Sequence, residues 1–235
     1  MRPCFPYGEP SARARVRLFC LPYAGGAASS YHPWWQHRDG AVDVVPIQLP
    51  GRENRVGEDP ATDLHALVDS LVDVVAGYEP FALFGHSMGA LIAYELAGRT
   101  APERLFVSGS VAPGTLTGTG TTYRWPRHEV IAELRRLNGT PAAVLDDDDL
   151  LNLLLPRLRA DWQVADTYRP STARVAAPIS AFGGTSDPDV PLAGLLAWRK
   201  HAEDVRTRVL PGDHFFVDRH TRTLVDLVRA DLGMS

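Results

Sequence analysis

The chain has 235 residues, 45% hydrophobic and 22% charged, with both signs interspersed and a formal net charge of −4. This describes one globular domain large enough to bury its apolar surface without disulfide staples, and it excludes the basic footprint of a nucleic-acid binder. No apolar run reaches the length of a bilayer span, and Cys4 and Cys20 have neither metal-ligand nor redox spacing.

Met1-Arg2-Pro3 is followed by proline, glycine and charge, not by the apolar stretch of a secretory leader, so a soluble cytoplasmic protein is expected. Residues 1–14, rich in proline and glycine, read as a poorly ordered tail before a single domain over 15–235. Residues 16–21 form an apolar strand enclosing Cys20, which reads as a buried, reduced thiol. The strand runs into a loop of small residues, Tyr23-Ala24-Gly25-Gly26-Ala27. A helix over about 30–37 carries Trp34 and Trp35, expected to pack under that loop. A second strand spans 42–49 and ends at Pro50-Gly51. Asp63 caps a helix whose Leu64, Leu67, Val68, Leu71, Val72 and Val75 share one face.

Phe81-Ala82-Leu83-Phe84 then leads directly into Gly85-His86-Ser87-Met88-Gly89 and a helix-forming stretch, followed by a strand at 105–109. Strand signals stop over about 111–174, which holds a Gly/Thr-rich link (114–122) and helical pieces near 127–137, 147–155 and 157–167. Alternation resumes with a strand at 179–182, a helix at 192–202, a strand at 206–210 and a last helix over 221–232. Repeated strand–helix alternation indicates an α/β fold with a mostly parallel central sheet and helices on both faces. The helical insertion reads as a lid over the sheet's carboxyl edge.

The Gly-x-Ser-x-Gly turn between strand and helix is a nucleophile elbow: the glycines allow close approach, and Ser87 is held out at the apex. On this reading the fold is that of an α/β-hydrolase. A serine hydroxyl needs a base, and in this arrangement an acid and then a histidine follow on later loops. His214, after the strand at 206–210 and Pro211-Gly212-Asp213, fits the base, with Phe215 and Phe216 expected to fix its ring and exclude water. His201 reads as a surface helix residue and His220 as a cap or surface residue. Asp187 ends the strand at 179–182 and fits the acid; Asp189, two residues on, is its competitor, and Asp213 reads as a turn former. The oxyanion donors are expected to be the backbone N–H groups of Met88 and Ala24.

Leu21-Pro22-Tyr23-Ala24-Gly25-Gly26, Gln48-Leu49-Pro50-Gly51-Arg52-Glu53, Gly85-His86-Ser87-Met88-Gly89 and Pro211-Gly212-Asp213-His214-Phe215-Phe216 together resemble the type II thioesterases that accompany modular polyketide synthases and nonribosomal peptide synthetases. The likeness runs from about residue 15 to 232. It implies a monomeric serine hydrolase with Ser87, Asp187 and His214 as triad, no cofactor or metal of its own, and no membrane or nucleic-acid partner. The implied substrates are acyl thioesters on the phosphopantetheine arm of acyl or peptidyl carrier proteins. The implied task is editing, the removal of stalled or aberrant acyl groups. Where such enzymes often carry a basic residue in a Ser-Gly-Arg-x-Ala-Pro stretch, this chain has Ser110.

Other readings stay open from the residues alone: a product-releasing thioesterase or cyclase, an oxygen-ester esterase, or a non-catalytic binding protein of the same fold. Trp125, Trp162, Tyr168 and the leucines of 150–158 could form lid core or acyl pocket. Arg52 could pair with Glu53, pair with a core carboxylate, or meet substrate. Arg157 and Arg159, with Arg135 or Arg136, could form a basic rim for an acidic carrier, or a solvated helix face.

Overall fold

Apolar strands that alternate with helices can bury both faces of a sheet only when helices cover both sides. The computed structural model has that arrangement; it describes residues 3–115, 120–171 and 174–234. Among the described residues the strands are β1 (Val16–Leu21), β2 (Val42–Pro46), β3 (Phe81–His86), β4 (Leu105–Ser108), β5 (Ile179–Gly184) and β6 (Val205–Leu210). They form one sheet in the order β2-β1-β3-β4-β5-β6, with every pairing parallel. The helices are α1 (His32–Trp35), α2 (Leu64–Val75), α3 (Met88–Ala97), α4 (Arg127–Leu137), α5 (Ala142–Leu145), α6 (Asp148–Thr167), α7 (Leu192–Leu196), α8 (Phe216–Arg219) and α9 (Thr221–Asp231). No helix among the described residues is long and apolar enough to cross a membrane.

Strand alternation splits the core in two. Phe19 and Leu21 of β1 pack with α2 and α3 on one face, while Leu18 and Cys20 pack with Trp34, Leu224 and Val228 on the other. Asp63 caps α2 as expected, accepting from the N–H of Ala66 at 2.8 Å. The order of strands reverses beside β1: the chain steps outward to β2, then returns past β1 to β3. Loops at the carboxyl ends of β1 and β3 therefore diverge and leave a crevice, the usual position of a site in an open parallel sheet.

Several expectations change. Residues 3–14 do not form a loose tail. Phe5 is buried against Phe19 and Tyr78, the N–H of Gln48 donates to the carbonyl of Cys4, and the N–H of Ser11 donates to Asp43. One aromatic ring in a ready pocket, backed by these bonds, outweighs the local composition. Residues 1 and 2 lie outside the described residues. Trp34 is buried, its ring tilted against Phe84, but Trp35 lies outward between Tyr7 and the Arg38 guanidinium. The helix expected over 192–202 ends early and continues as a 3-10 turn (Ala197–Lys200). That turn places His201 in the interior, where it meets the hydroxyl of Tyr94 at 2.9 Å.

Between β4 and β5 the chain forms the helical insertion, α4 to α6; residues 116–119 of its Gly/Thr-rich link lie outside the described residues, as do 172 and 173. The two helical pieces expected on either side of Pro156 are one helix, α6, with Pro156 inside it. A proline in a helix interior costs about 3 kcal/mol. Leu151, Leu155 and Leu158 bury themselves against Val130, Leu134 and Leu145, and at about 1.5–3 kcal/mol per buried leucine they offset that cost. The far end of α6 is tied to the core through Glu95 of α3, which accepts from the Tyr168 hydroxyl at 2.7 Å and from Ser171.

The contact between β3 and α3 has no room for side chains. A Cβ on Gly85 would lie 2.0 Å from the carbonyl oxygen of Gly89, and one on Gly89 would lie 2.2 Å from that of Leu21. Gly85→Ala is therefore expected to force backbone apart and cost about 2–4 kcal/mol, lowering Tm by about 5–15 °C. Thermal unfolding followed by circular dichroism measures it.

Candidate active site

Ser87 occupies the turn between β3 and α3 with φ +54° and ψ −119°, a conformation an L-residue adopts only when its surroundings enforce it. The enforcement is visible. The N–H of Ser87 donates to the carbonyl of Ser108 on β4 at 2.8 Å, and its own carbonyl accepts from Ala90 at 2.9 Å as α3 begins. Its side chain makes no capping bond to the helix, so the hydroxyl is left to face the crevice.

His214 follows β6 and Asp187 follows β5, adjacent strands whose loops are laced together. Thr185 donates to the carbonyl of Leu210 at 2.9 Å and Ser186 to that of Gly212 at 2.8 Å. This brings the two side chains into contact: His214 Nδ1–H donates to Asp187 Oδ2 at 2.8 Å, with both groups buried. Burial pushes the Asp187 carboxyl up. The bond and charge of His214 and the N–H of Asp189 push it down further, so the net pKa lies below the usual carboxylate value. Asp187 thus stays ionised and fixes the ring, leaving Nε2 of His214 for chemistry. Asp189, the competitor, lies nearby but turns its carboxylate to Arg136 at 2.7 Å. Asp213 shapes the turn, accepting from the N–H of Phe215 at 3.1 Å. Phe215 packs edge-on against His214, with ring centroids 5.3 Å apart. His220 sits at the start of α9, bonded to the carbonyl of Pro211.

Met88 is the first residue of α3, where helix N–H groups have no intrahelical acceptor. Ala24 lies in the loop after β1. Neither N–H has an acceptor among the described residues. Two cavities of about 330 Å³ each meet here, and Ala24, Ser87, Trp162 and His214 line both. One runs under α6 toward Tyr168, Val190 and Ser110; the other runs toward Tyr23, Val144, Leu154 and Phe215. Trp162 and Leu154 therefore serve as wall as well as lid core, and Tyr168 as wall while packing in the main core.

The sequence matches the model of the thioesterase domain over residues 16–232. The chain belongs to the thioesterase family. It is 42% identical over 234 residues to the gramicidin S biosynthesis protein GrsT of Aneurinibacillus migulanus, covering 95% of this chain and 91% of that one. It is 37% identical to the thioesterase PikA5 of Streptomyces venezuelae, covering 89% of this chain and 78% of the relative. In structure it resembles the type II thioesterase BorB from the borrelidin biosynthetic cluster, with a TM-score of 0.86, 35% identity and 95% of both chains covered. The α/β-hydrolase fold and hydrolase class expected from the sequence are those of this family.

Some thioesterase residues around the site were not singled out by the sequence reading. Asp161 on α6 is buried and takes Arg52 in a bidentate ion pair, 2.7 Å at the shorter contact, which decides the partner of Arg52. A signal existed: Asp161 continues the apolar row Leu151, Leu155, Leu158 and Val164, where a carboxylate must find a partner. The four arginines weighed as a basic rim are each engaged within the chain. Arg157 donates to the carbonyl of Gly25, Arg159 to those of Tyr123 and Trp125, Arg135 to Asp146, and Arg136 to Glu133 and Asp189.

His86, inside the elbow motif, is fully buried, 2.9 Å from the Ser108 hydroxyl, with its ring centroid 5.1 Å from that of His214. Burial, then the charge of His214, hold its pKa well below the ordinary histidine value. It therefore stays neutral and does not repel a proton arriving on His214. The sign of the linkage follows. The unfolded chain protonates His86 below about pH 6.5 while the native state does not, so stability falls as pH drops from there. His86→Gln is expected to lack that component, which reaches about 1.4 kcal/mol per pH unit. Urea unfolding of both proteins between pH 7.5 and 5 measures the difference in slope.

Proposed function

We propose that this thioesterase hydrolyses acyl thioesters carried on the phosphopantetheine arm of an acyl or peptidyl carrier protein, and that its task is editing, the removal of stalled or aberrant acyl groups. The observation that carries this reading is the pair of cavities meeting at Ser87. A thioester on a carrier has a long chain on each side of its reacting carbon, the acyl group on one and the pantetheine arm on the other. A site that must hold both while attacking between them needs two arms of comparable size. The similarity to relatives named for gramicidin S biosynthesis and the borrelidin cluster supports the same substrate class.

The geometry supports the following roles. Ser87 Oγ attacks the thioester carbonyl as Nε2 of His214 takes its proton, forming a tetrahedral oxyanion. The imidazolium that results is stabilised by the Asp187 carboxylate on Nδ1–H, as in other hydrolases with this triad. The N–H groups of Met88 and Ala24 donate to the oxyanion, each such donor contributing about 10²–10³ in rate. Collapse breaks the carbon–sulfur bond, and His214 returns its proton to the departing thiol. Water then attacks the acyl-serine as His214 takes its proton, and collapse of this second tetrahedral intermediate breaks the ester bond while His214 returns the proton to Ser87 Oγ, releasing the acid. A thiol is a good leaving group, so the site need supply little strain.

Ser87→Ala should abolish thiol release from acyl-carrier substrates while leaving Tm within about 2 °C of wild type. Asp187→Asn should lower kcat by about 10⁴ through the wrong imidazole tautomer. A coupled thiol assay with carrier-bound thioesters and oxygen esters of the same acyl groups measures both. Faster turnover of the oxygen esters, indifferent to the carrier, would reassign the protein to general esterase chemistry.

A further inference from the structure

The loop that carries Ala24 is held less by its own backbone than by charged side chains from two distant parts of the chain. The N–H of Gly25 donates to Asp161 Oδ2 at 2.7 Å, the carbonyl of Gly25 accepts from Arg157 at 2.9 Å, and the carbonyl of Gly26 accepts from Arg52 Nη1 at 2.8 Å. Within the loop, the N–H of Gly26 closes a turn on Tyr23 at 2.9 Å. Arg52 comes from the segment after β2, whereas Arg157 and Asp161 lie one helical turn apart on α6, in the lid. Arg52 and Asp161 are both about 1% exposed and joined bidentately, and Arg52 also reaches the carbonyl of Pro50.

We propose that Arg52, Arg157 and Asp161 are positioning residues that set the Ala24 N–H in the oxyanion site and make its placement depend on the seating of α6. This rests on the reading of Ala24 as an oxyanion donor. The physical reason lies in the loop's composition. Ala24, Gly25 and Gly26 have no side chains able to fix their own peptide planes, and glycine has the most conformational freedom to lose. A donor must point at the oxyanion within a few tenths of an ångström, because its benefit depends on its being oriented before the reaction begins. Charge-assisted bonds to the two peptide units that flank the Gly25 Cα supply that rigidity, and a guanidinium fork supplies it directionally. Because two of the three anchors ride on α6, displacement of the lid loosens the oxyanion loop, so full rate requires a seated lid.

Removing one partner of a buried ion pair leaves the other uncompensated, whereas replacing both with apolar residues of similar volume is often neutral for stability. The informative variants are therefore R52M/D161L, and separately Arg157→Met, whose side chain is only half-buried. The measurements are kcat and KM on an acyl-pantetheine thioester, Tm, and the inhibition constant of an alkyl trifluoromethyl ketone. That ketone forms a tetrahedral adduct with serine and places an oxyanion in the donor site. Binding of a non-hydrolysable thioether analogue reports the ground state.

R52M/D161L is expected to lower kcat by about 100-fold, the scale of one lost oxyanion donor, with KM changed less than about threefold. Affinity for the ketone should fall by the same factor as kcat, and affinity for the thioether should hold. Arg157→Met should show the same pattern at about tenfold, and it carries the test if the double variant does not fold. Unchanged kcat in folded variants, or a fall in kcat without a parallel loss of ketone affinity, would overturn the proposal while leaving the hydrolase reading intact. A wild-type enzyme that neither turns over thioesters nor binds the ketone through Ser87 would overturn that underlying reading as well.

Discussion

The backbone of Ser87 is bent into a region that L-residues avoid, and the surrounding structure is arranged to keep it there. Gly85 lets β3 and α3, and Gly89 lets α3 and the end of β1, approach to a distance no side chain would permit, and the carbonyl of Ser108 on β4 takes the serine's N–H. Strain of this kind costs on the order of 1–3 kcal/mol, and it persists only where neighbours leave no alternative. Its consequence is a hydroxyl projecting into the crevice with the first amides of α3 behind it. Every other functional group is positioned relative to that point.

The parallel sheet explains how groups so distant in sequence meet. With all strands pointing the same way, the loops after β1, β3, β5 and β6 emerge at one edge, carrying Ala24, Ser87, Asp187 and His214. Charge is then apportioned by environment. Asp187 stays ionised because bonds from His214 and Asp189 outweigh its burial, whereas His86, buried more deeply, stays neutral because burial dominates. In the proposed reaction, a proton passed to His214 therefore has one ionised acceptor beside it and no competing cation at His86. Over this edge lies α6, sealed by leucines to α4 and α5 and pinned to the loop after β1 by Asp161 and Arg157.

Much of this was legible in the sequence, because the features concerned are local. An apolar strand running into Gly-x-Ser-x-Gly specifies its own turn. Asp187 and His214 each stand just past a strand, so strand detection alone brings them to the same edge. What escaped detection depends on partners far along the chain. The continuity of α6 through Pro156 is decided by leucines meeting α4 and α5, and the order of residues 3–14 by a pocket for Phe5. His201 reads as a surface residue in sequence because its burial comes from a helix that stops at Leu196 and a Tyr94 hydroxyl more than 100 residues away. The pairing of Arg52 with Asp161 likewise joins two segments 109 residues apart. A buried charge leaves only a faint trace in sequence, a carboxylate interrupting an apolar row.

On the proposed mechanism, Ser87 Oγ carries the acyl group between the two halves of the reaction. Intact-protein mass spectrometry of enzyme quenched in acid within milliseconds of mixing with a carrier-bound thioester tests it directly. The account predicts a mass increase equal to the acyl group, mapped by peptide digestion to Ser87, transient in wild type and absent in Ser87→Ala. Product release without any acyl-serine, or an adduct on another residue that survives Ser87→Ala, would contradict it.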